Sequence, residues 1–473
     1  MKTRHHDTSS KADGSNRLSR RSFLGAVVAA GAVGGERRMR APALRSAQSG
    51  AASMSSKTPA LLGGTPVRRT PFPSWPVADS REEDALVRAV RSGRWNRGDN
   101  VSAFETAYAS LTGARHCLAT ANGTSALITS LGALGIGPGD EVVVPPYTFI
   151  ATINAVLLMR ALPVFVDSDI ETFQIDARKI EQAINGNTRV ILPVHLGGSA
   201  ADLDTIMEIG RRRGITVVED ACQAHLAEWR GRKVGTYGKT GCFSFQASKN
   251  LNSGEGGAVL TEDDELIETC YRFHNNSRGR RNTGDDFSYR NIGANLRMTE
   301  FQGALLQAQM TRLETQAHTR DANGAHLTSL LKQIPGITPA RMYDGCTRNA
   351  YHLYMFRYDP SHFSGLPRAA FLRALGAEGI PALSGYSPLN KEPFLETTLS
   401  GPGFKTIYSK TRIDAWRAKN RCPQNDRLCT EAIWLVQTML LGPRQDMEDI
   451  AEAIRKVQTT APQLTKALPQ QGA

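Results

Sequence analysis

The 473-residue sequence predicts an α/β protein with a mainly parallel central sheet and a smaller α+β domain toward the C-terminus. Three observations predict it. Short β-rich runs alternate with stretches of helical spacing through the first half of the chain. A hydrophobic fraction of 40% with 22% charged residues is that of an ordinary globular chain, and the length suffices for two or three domains. Several β-rich runs end in polar residues, which is where such sheets carry their ligands.

Residues 1–56 read as a separate segment. They hold ten Lys/Arg and three Asp/Glu, and so supply +7 of the formal charge of +12. Ser19-Arg20-Arg21-Ser22-Phe23-Leu24 is a twin-arginine pattern, followed by the apolar, small-residue stretch Phe23 to Gly35 and by Ala41-Pro42-Ala43, an A-x-A cleavage site. Export by the twin-arginine (Tat) route, to the periplasm or beyond, is the expectation. Cytoplasmic residence is the alternative, and Arg37, Arg38 and Arg40 argue for it, because positive charge there disfavours translocation. No later stretch offers about 18 uninterrupted apolar residues, so no membrane span is expected in the mature chain.

From residue 57 the β-rich runs are Glu141 to Pro145, Leu162 to Asp167, Arg189 to His195, Ile215 to Asp220, Gly241 to Phe245 and Gly257 to Thr261. Helical spacing is found at Ala126 to Leu134, Ile150 to Arg160, Asp176 to Ile184 and Leu203 to Arg213. A longer helical pattern, Met298 to about Leu313, is expected to close a large domain over residues 57–315. The small domain would then occupy 316–473, ending in an amphipathic helix near Met447 to Val457.

The remaining charge of +5 is spread over this body, with Arg278, Arg280 and Arg281 as its densest patch. That patch reads as a solvated loop or a site for an acidic ligand, and a nucleic-acid partner is not expected. Seven cysteines without a CxxC pair form neither a zinc pattern nor a disulfide framework, and no metal is expected; Cys422 and Cys429 read as packing residues.

Within Cys242 to Val259, Lys249 lies in a loop between two apolar runs. An amine held there is a candidate Schiff-base nucleophile, the chemistry by which a lysine anchors pyridoxal 5'-phosphate. Asp220, ending Ile-Thr-Val-Val-Glu-Asp, could face a pyridine nitrogen and favour its protonated form, or could cap the next helix. His195, also at a strand end, could approach a ring or substrate, or be a satisfied structural histidine. Asn122-Gly123-Thr124-Ser125 opens a helical stretch and offers backbone N–H groups to a phosphate, although the same residues make an ordinary turn and cap. Ser244, five residues before Lys249, could add a hydroxyl or be a buried strand serine.

From about Gly63 to Lys456 the chain resembles the DegT/StrS family of pyridoxal-phosphate-dependent sugar and cyclitol aminotransferases. The segments that carry the resemblance include GGTPVR, ANGTSAL, GIGPGDEVVVPPYTF, VEDACQAH, SFQASKNLNSGEGG, NLRMTEFQGAL, AYHLY and CPQNDRLC. The resemblance implies the aspartate-aminotransferase fold (fold type I) and a homodimer with shared active sites. It makes Lys249 the Schiff-base lysine, Asp220 the partner of the pyridine nitrogen and Gln223 that of the phenolic oxygen. It stacks Phe149 on the cofactor ring, assigns phosphate contacts to Gly123, Thr124 and Ser244, and sends Asn295 to the phosphate of the neighbouring subunit. The implied reaction moves an amino group from glutamate or glutamine to a keto-sugar or keto-cyclitol. Two other readings stay open: a sugar dehydration or elimination on the same cofactor, and a non-catalytic sensor with this fold. Relatives that dehydrate sugars replace the lysine by histidine, which Lys249 argues against. Gly385-Tyr386-Ser387-Pro388 departs from the His-Tyr-x-Pro segment of many relatives, while VEDACQAH and SFQASK lean toward those that aminate cyclitols or make an aminobenzoate.

Overall fold

The computed structural model describes residues 58–280, 288–289 and 291–468. The twin-arginine segment, its A-x-A site and Arg281 lie outside these residues. In chain order the strands are His116–Thr120 (β1), Glu141–Val144 (β2), Leu162–Phe165 (β3), Thr188–Ile191 (β4), Thr216–Asp220 (β5), Glu228–Trp229 (β6), Arg232–Lys233 (β7), Thr240–Ser244 (β8), Gly257–Thr261 (β9), Ile337–Pro339 (β10), Cys346–Arg348 (β11), Leu353–Tyr358 (β12) and Ala432–Val436 (β13).

Seven of them form one sheet in the order β1-β9-β8-β5-β4-β2-β3, in which only β9 runs against its neighbours. The mainly parallel sheet is thus present. Its strands are apolar on both faces because helices cover both. Val142, Val144, Val190 and Val218 enter the core on one side, and Val143, Ile191 and Val217 enter the core on the other. The strand β1 has no counterpart among the β-rich runs read from sequence. His-Cys-Leu-Ala-Thr has a single β-branched residue, and its pairing along β9 from His116–Thr261 to Thr120–Gly257 is what makes it a strand.

The helices follow their caps. Leu203–Arg213 is opened by the Asp202 side chain, which accepts from Thr205 N–H, and closed by Gly214 at φ 63°. Gly123–Ala133 is opened by Asn122, whose side chain accepts from Ser125 N–H. The helix expected to stop near Leu313 instead runs Glu300–Leu331, from a Thr299/Gln302 capping box straight through residues 315 and 316. Its apolar period fades because polar residues face inward. Arg320 reaches Gln437 Oε1 at 2.9 Å, and Asn323 donates to the carbonyls of Leu440 and Gly442, each at 2.9 Å.

A three-stranded antiparallel sheet, β10-β12-β13, carries the second core, covered by the helix Arg444–Ala467, which is longer than the expected Met447 to Val457. Leu61, Val67 and Phe72 pack on this core, and the buried Glu378 accepts from Ala60 and Val67 N–H and pairs with Lys456 at 2.8 Å. Cys422 and Cys429 are both buried and unpaired in packed clusters. Among the described residues no helix is long and apolar enough to cross a membrane.

Candidate active site

Strands β1, β2, β5 and β8 run in one direction, so their carboxyl ends meet along one edge of the sheet. Those ends and the segments just beyond them carry Gly123 and Thr124, Phe149, Asp220 and Gln223, and Ser244 and Lys249. That edge is the ligand edge of a parallel sheet.

The floor is set by a close approach. A Cβ added to Gly123 would lie 2.6 Å from Ser244 Cβ and 3.0 Å from Cys222 Sγ, so only glycine lets the start of this helix meet β8. With Asn122 holding Ser125 N–H, no acceptor is recorded among the described residues for the N–H groups of Gly123 and Thr124. These donors at a helix start, beside the Ser244 hydroxyl, suit a phosphate.

Asp220 is buried at the end of β5. Its Oδ2 accepts from the Thr152 hydroxyl at 2.8 Å and its Oδ1 from Cys222 N–H at 3.2 Å, while Thr148 and Thr152 hydroxyls lie 2.9 Å apart. The carboxylate serves no helix as a cap, which removes the alternative reading of Asp220. Gln223 is fixed at both ends: Gly197 N–H donates to its Oε1 at 2.8 Å, so its amide nitrogen faces Tyr386 Oη at 3.0 Å and keeps a second hydrogen for a ligand. Gly197 makes this possible at φ 66°, where its Cβ would strike Met355 Cε at 2.6 Å.

Lys249 is half-buried, and its Nζ lies 3.4 Å from His352 Nε2. Burial holds its pKa below the ordinary lysine value, opposed by Cys222 and Asp220. The His352 ring is pushed well below the usual histidine range, first by burial and then by Lys249. Over the loop, Trp75 Nε1 donates to Ala247 carbonyl at 2.9 Å, and the Arg320 guanidinium lies 5.4 Å from the Trp75 ring centre. Arg320 is fully buried, its pKa is pushed down to about 9 by burial, and its two terminal nitrogens have no partner among the described residues.

The structure therefore brings Gly123, Thr124, Asp220, Gln223, Ser244 and Lys249 to one edge. Phe149, 55% exposed at the mouth of the helix Ile150–Leu158, presents an uncovered ring there. Asn295 is exposed on a stretch bridged to Asn275 and makes no recorded side-chain contact with these residues. His195 lies elsewhere in role: it is fully buried, donating from Nε2 to Glu219 at 2.9 Å and accepting at Nδ1 from Ala201 N–H at 3.1 Å. Both ring nitrogens are used, so it is the structural histidine of the two readings. Sequence reasoning missed Thr152, Trp75, His352 and the role of Tyr386. A threonine four residues after Thr148, in a mainly apolar helix, was the one local signal.

Residues 76–455 match the DegT/DnrJ/EryC1/StrS aminotransferase family. The chain belongs to that family. It is 35% identical over 420 residues to an L-glutamine:2-deoxy-scyllo-inosose aminotransferase of Streptoalloteichus tenebrarius, covering 84% of this chain and 97% of the relative. It is also 35% identical over 394 residues to a 3-amino-5-hydroxybenzoate synthase of Amycolatopsis mediterranei, covering 82% and 97%. The crystal structure of a 3-amino-5-hydroxybenzoic acid synthase superposes with a TM-score of 0.74 at 34% identity, over 82% of this chain and 99% of that one. This DegT-family chain thus has the fold type I architecture and is a pyridoxal-phosphate-dependent aminotransferase. Its residues fit the cofactor: a cradle that a single methyl would fill, a fixed buried carboxylate, an open aromatic face and an amine of lowered pKa.

Proposed function

We propose that this enzyme transfers the amino group of L-glutamine, or of glutamate, to the ketone of a cyclitol or sugar, with Lys249 as the reactive amine. The single observation that carries the reading is the Lys249 amine, made less basic by burial, in a loop on the same sheet edge as the Gly123–Ser244 cradle. Pyridoxal phosphate, when bound, supplies the electron sink that makes the proton on the amine-bearing carbon labile. Gly123, Thr124 and Ser244 would hold its phosphate, Phe149 would cover its ring, Asp220 would face the pyridine nitrogen and Gln223 the phenolic oxygen. Lys249 would anchor the cofactor as nucleophile and, once freed, serve as base, taking a proton at Nζ and returning it two atoms away. Thr152 and Cys222 N–H keep the Asp220 carboxylate aimed throughout.

The names of the relatives support the choice of substrates, one being a glutamine-dependent aminotransferase of a keto-cyclitol and another a maker of an aminobenzoate. A homodimer in which the exposed Asn295 reaches the partner's phosphate belongs to the same reading, as does export by the twin-arginine route. Sedimentation of the purified chain tests the first, and fractionation of cells producing the full-length chain tests the second. The reaction is tested by mixing the purified, cofactor-loaded chain with L-glutamine. The visible absorption should convert to that of the pyridoxamine form, and an inosose should restore it. A spectrum unmoved by glutamine, glutamate and other common donors sinks the reading, as does full turnover by Lys249→Ala.

A further inference from the structure

The segment Ala350-Tyr351-His352 places a histidine on the reactive amine, and the hydrogen-bond pattern around it determines which ring nitrogen bears the proton. The carbonyl of Ala350 can only accept, so the Asn250 group lying 2.7 Å from it is the amide NH2. The Asn250 Oδ1 is thereby turned toward His352 Nδ1, at 3.3 Å. An amide oxygen also can only accept, so Nδ1 carries the ring hydrogen. Nε2 is left with a bare lone pair, and it faces Lys249 Nζ at 3.4 Å.

The backbone is bent to make this contact. Tyr351 sits at φ 47°, a left-handed conformation unfavourable for an aromatic residue, and is held by the Asn349 side chain accepting from its N–H at 2.8 Å and by Ala350 N–H donating to Gly198 carbonyl at 3.0 Å. Gly198, at φ 97°, has no room for a Cβ, which would lie 2.7 Å from Tyr351 N. The ring is nearly enclosed, and burial keeps it neutral, so it offers the amine an acceptor and not a competing positive charge.

We propose that His352 is the positioning residue for the Lys249 amine: an acceptor of fixed tautomer that takes one N–H, steers the amine's lone pair toward the substrate carbon and supports the amine when it holds the extra proton. The proton that Lys249 takes and returns never passes to His352, which accepts a hydrogen bond and changes no charge. The proposal rests on the reading of Lys249 as the reactive amine.

The test uses the full chain loaded with pyridoxamine 5'-phosphate, in which Lys249 is a free amine whether or not any donor works. The pH midpoint for acetylation of Lys249 by acetic anhydride, read by peptide mass spectrometry, reports its basicity. His352→Leu should lower that midpoint by about one pH unit, because a hydrogen bond to the charged amine is lost. His352→Gln, whose Oε1 can accept, should restore most of the shift. In the glutamine half-reaction His352→Leu should slow the chemical step about tenfold or more with donor affinity unchanged, and His352→Gln should stay within about threefold of the parent. An unmoved midpoint and rate in His352→Leu overturn the proposal, as does a His352→Gln variant no better than the leucine one. Either result with an inactive Lys249→Ala strikes His352 alone; an active Lys249→Ala strikes the reading beneath it.

Discussion

Gln223 donates from its amide to the hydroxyl of Tyr386 at 3.0 Å, across 163 residues of sequence, and so joins the edge of the large sheet to the Gly385–Pro388 segment. Tyr386 stacks edge-on against Trp434 at 4.4 Å and against Tyr147 at 5.5 Å, and burial pushes its hydroxyl far above the ordinary tyrosine pKa. The departure from the His-Tyr-x-Pro pattern therefore leaves the tyrosine itself in place. Tyr386→Phe keeps the packing and removes one neutral hydrogen bond worth about 1 kcal/mol. The expected result is a glutamine half-reaction about fivefold slower with the cofactor still bound, measured by stopped-flow absorption.

Gly123 has no space for a side chain beside Ser244 and Cys222. Gly123→Ala should weaken cofactor binding about tenfold or more by driving the helix start away from β8, while the melting temperature without cofactor changes little. Equilibrium dialysis against pyridoxal phosphate measures the first quantity and calorimetry the second; unaltered retention of cofactor would count against the cradle.

Asp220→Asn keeps an oxygen acceptor for only one of its two donors, the Thr152 hydroxyl and Cys222 N–H, and removes the charge. Turnover should fall about a hundredfold or more, since an electrostatic partner is lost from an enclosed site. Thr152→Val, which frees the carboxylate without neutralising it, should cost about tenfold. Equal effects of the two would mean that orientation, and not charge, is what Asp220 supplies.

His225 and His274 are both pushed down to about 3, chiefly by burial. Each is neutral in the folded chain and protonates near 6.5 once unfolded, so the unfolded state binds more protons as the pH falls below 6.5. The stability these neutral rings allow is complete above pH 6.5 and declines from there toward pH 3, on the order of one kcal/mol per pH unit for each ring. Guanidinium unfolding at pH 7 and pH 4.5 should show this slope, and His274→Gln should reduce it by one proton's worth. A slope unchanged by that substitution removes His274 from the account.

Much of the site was legible because it follows strand ends. Asp220, Ser244 and Lys249 each lie at or just beyond the carboxyl end of an apolar run, where a parallel sheet presents its ligand edge, and Gly123 was legible as the opening of a helical stretch. His195 also ended such a run, and its sequence neighbourhood left two roles open; only the pairing of both ring nitrogens, with Glu219 and Ala201, decided between them. His352 and Trp75 were beyond local reading, because their partners lie 103 and 172 residues away. The helix Glu300–Leu331 was read short for a related reason: Arg320 and Asn323 are buried by bonds to residues more than a hundred positions on, and an inward polar residue looks like a helix end.

The loop bearing Lys249 is held from both sides of the sequence, by Trp75 on the Ala247 carbonyl and by Asn250 on the Ala350 carbonyl. During synthesis the first of these partners is made early and the second long after the lysine itself. The histidine that faces Lys249 Nζ is made 103 residues after the lysine, and β12 pairs with β13, which is made later still. The surroundings of the reactive amine are thus completed late, and a product truncated before residue 352 would carry the lysine without the acceptor that faces it.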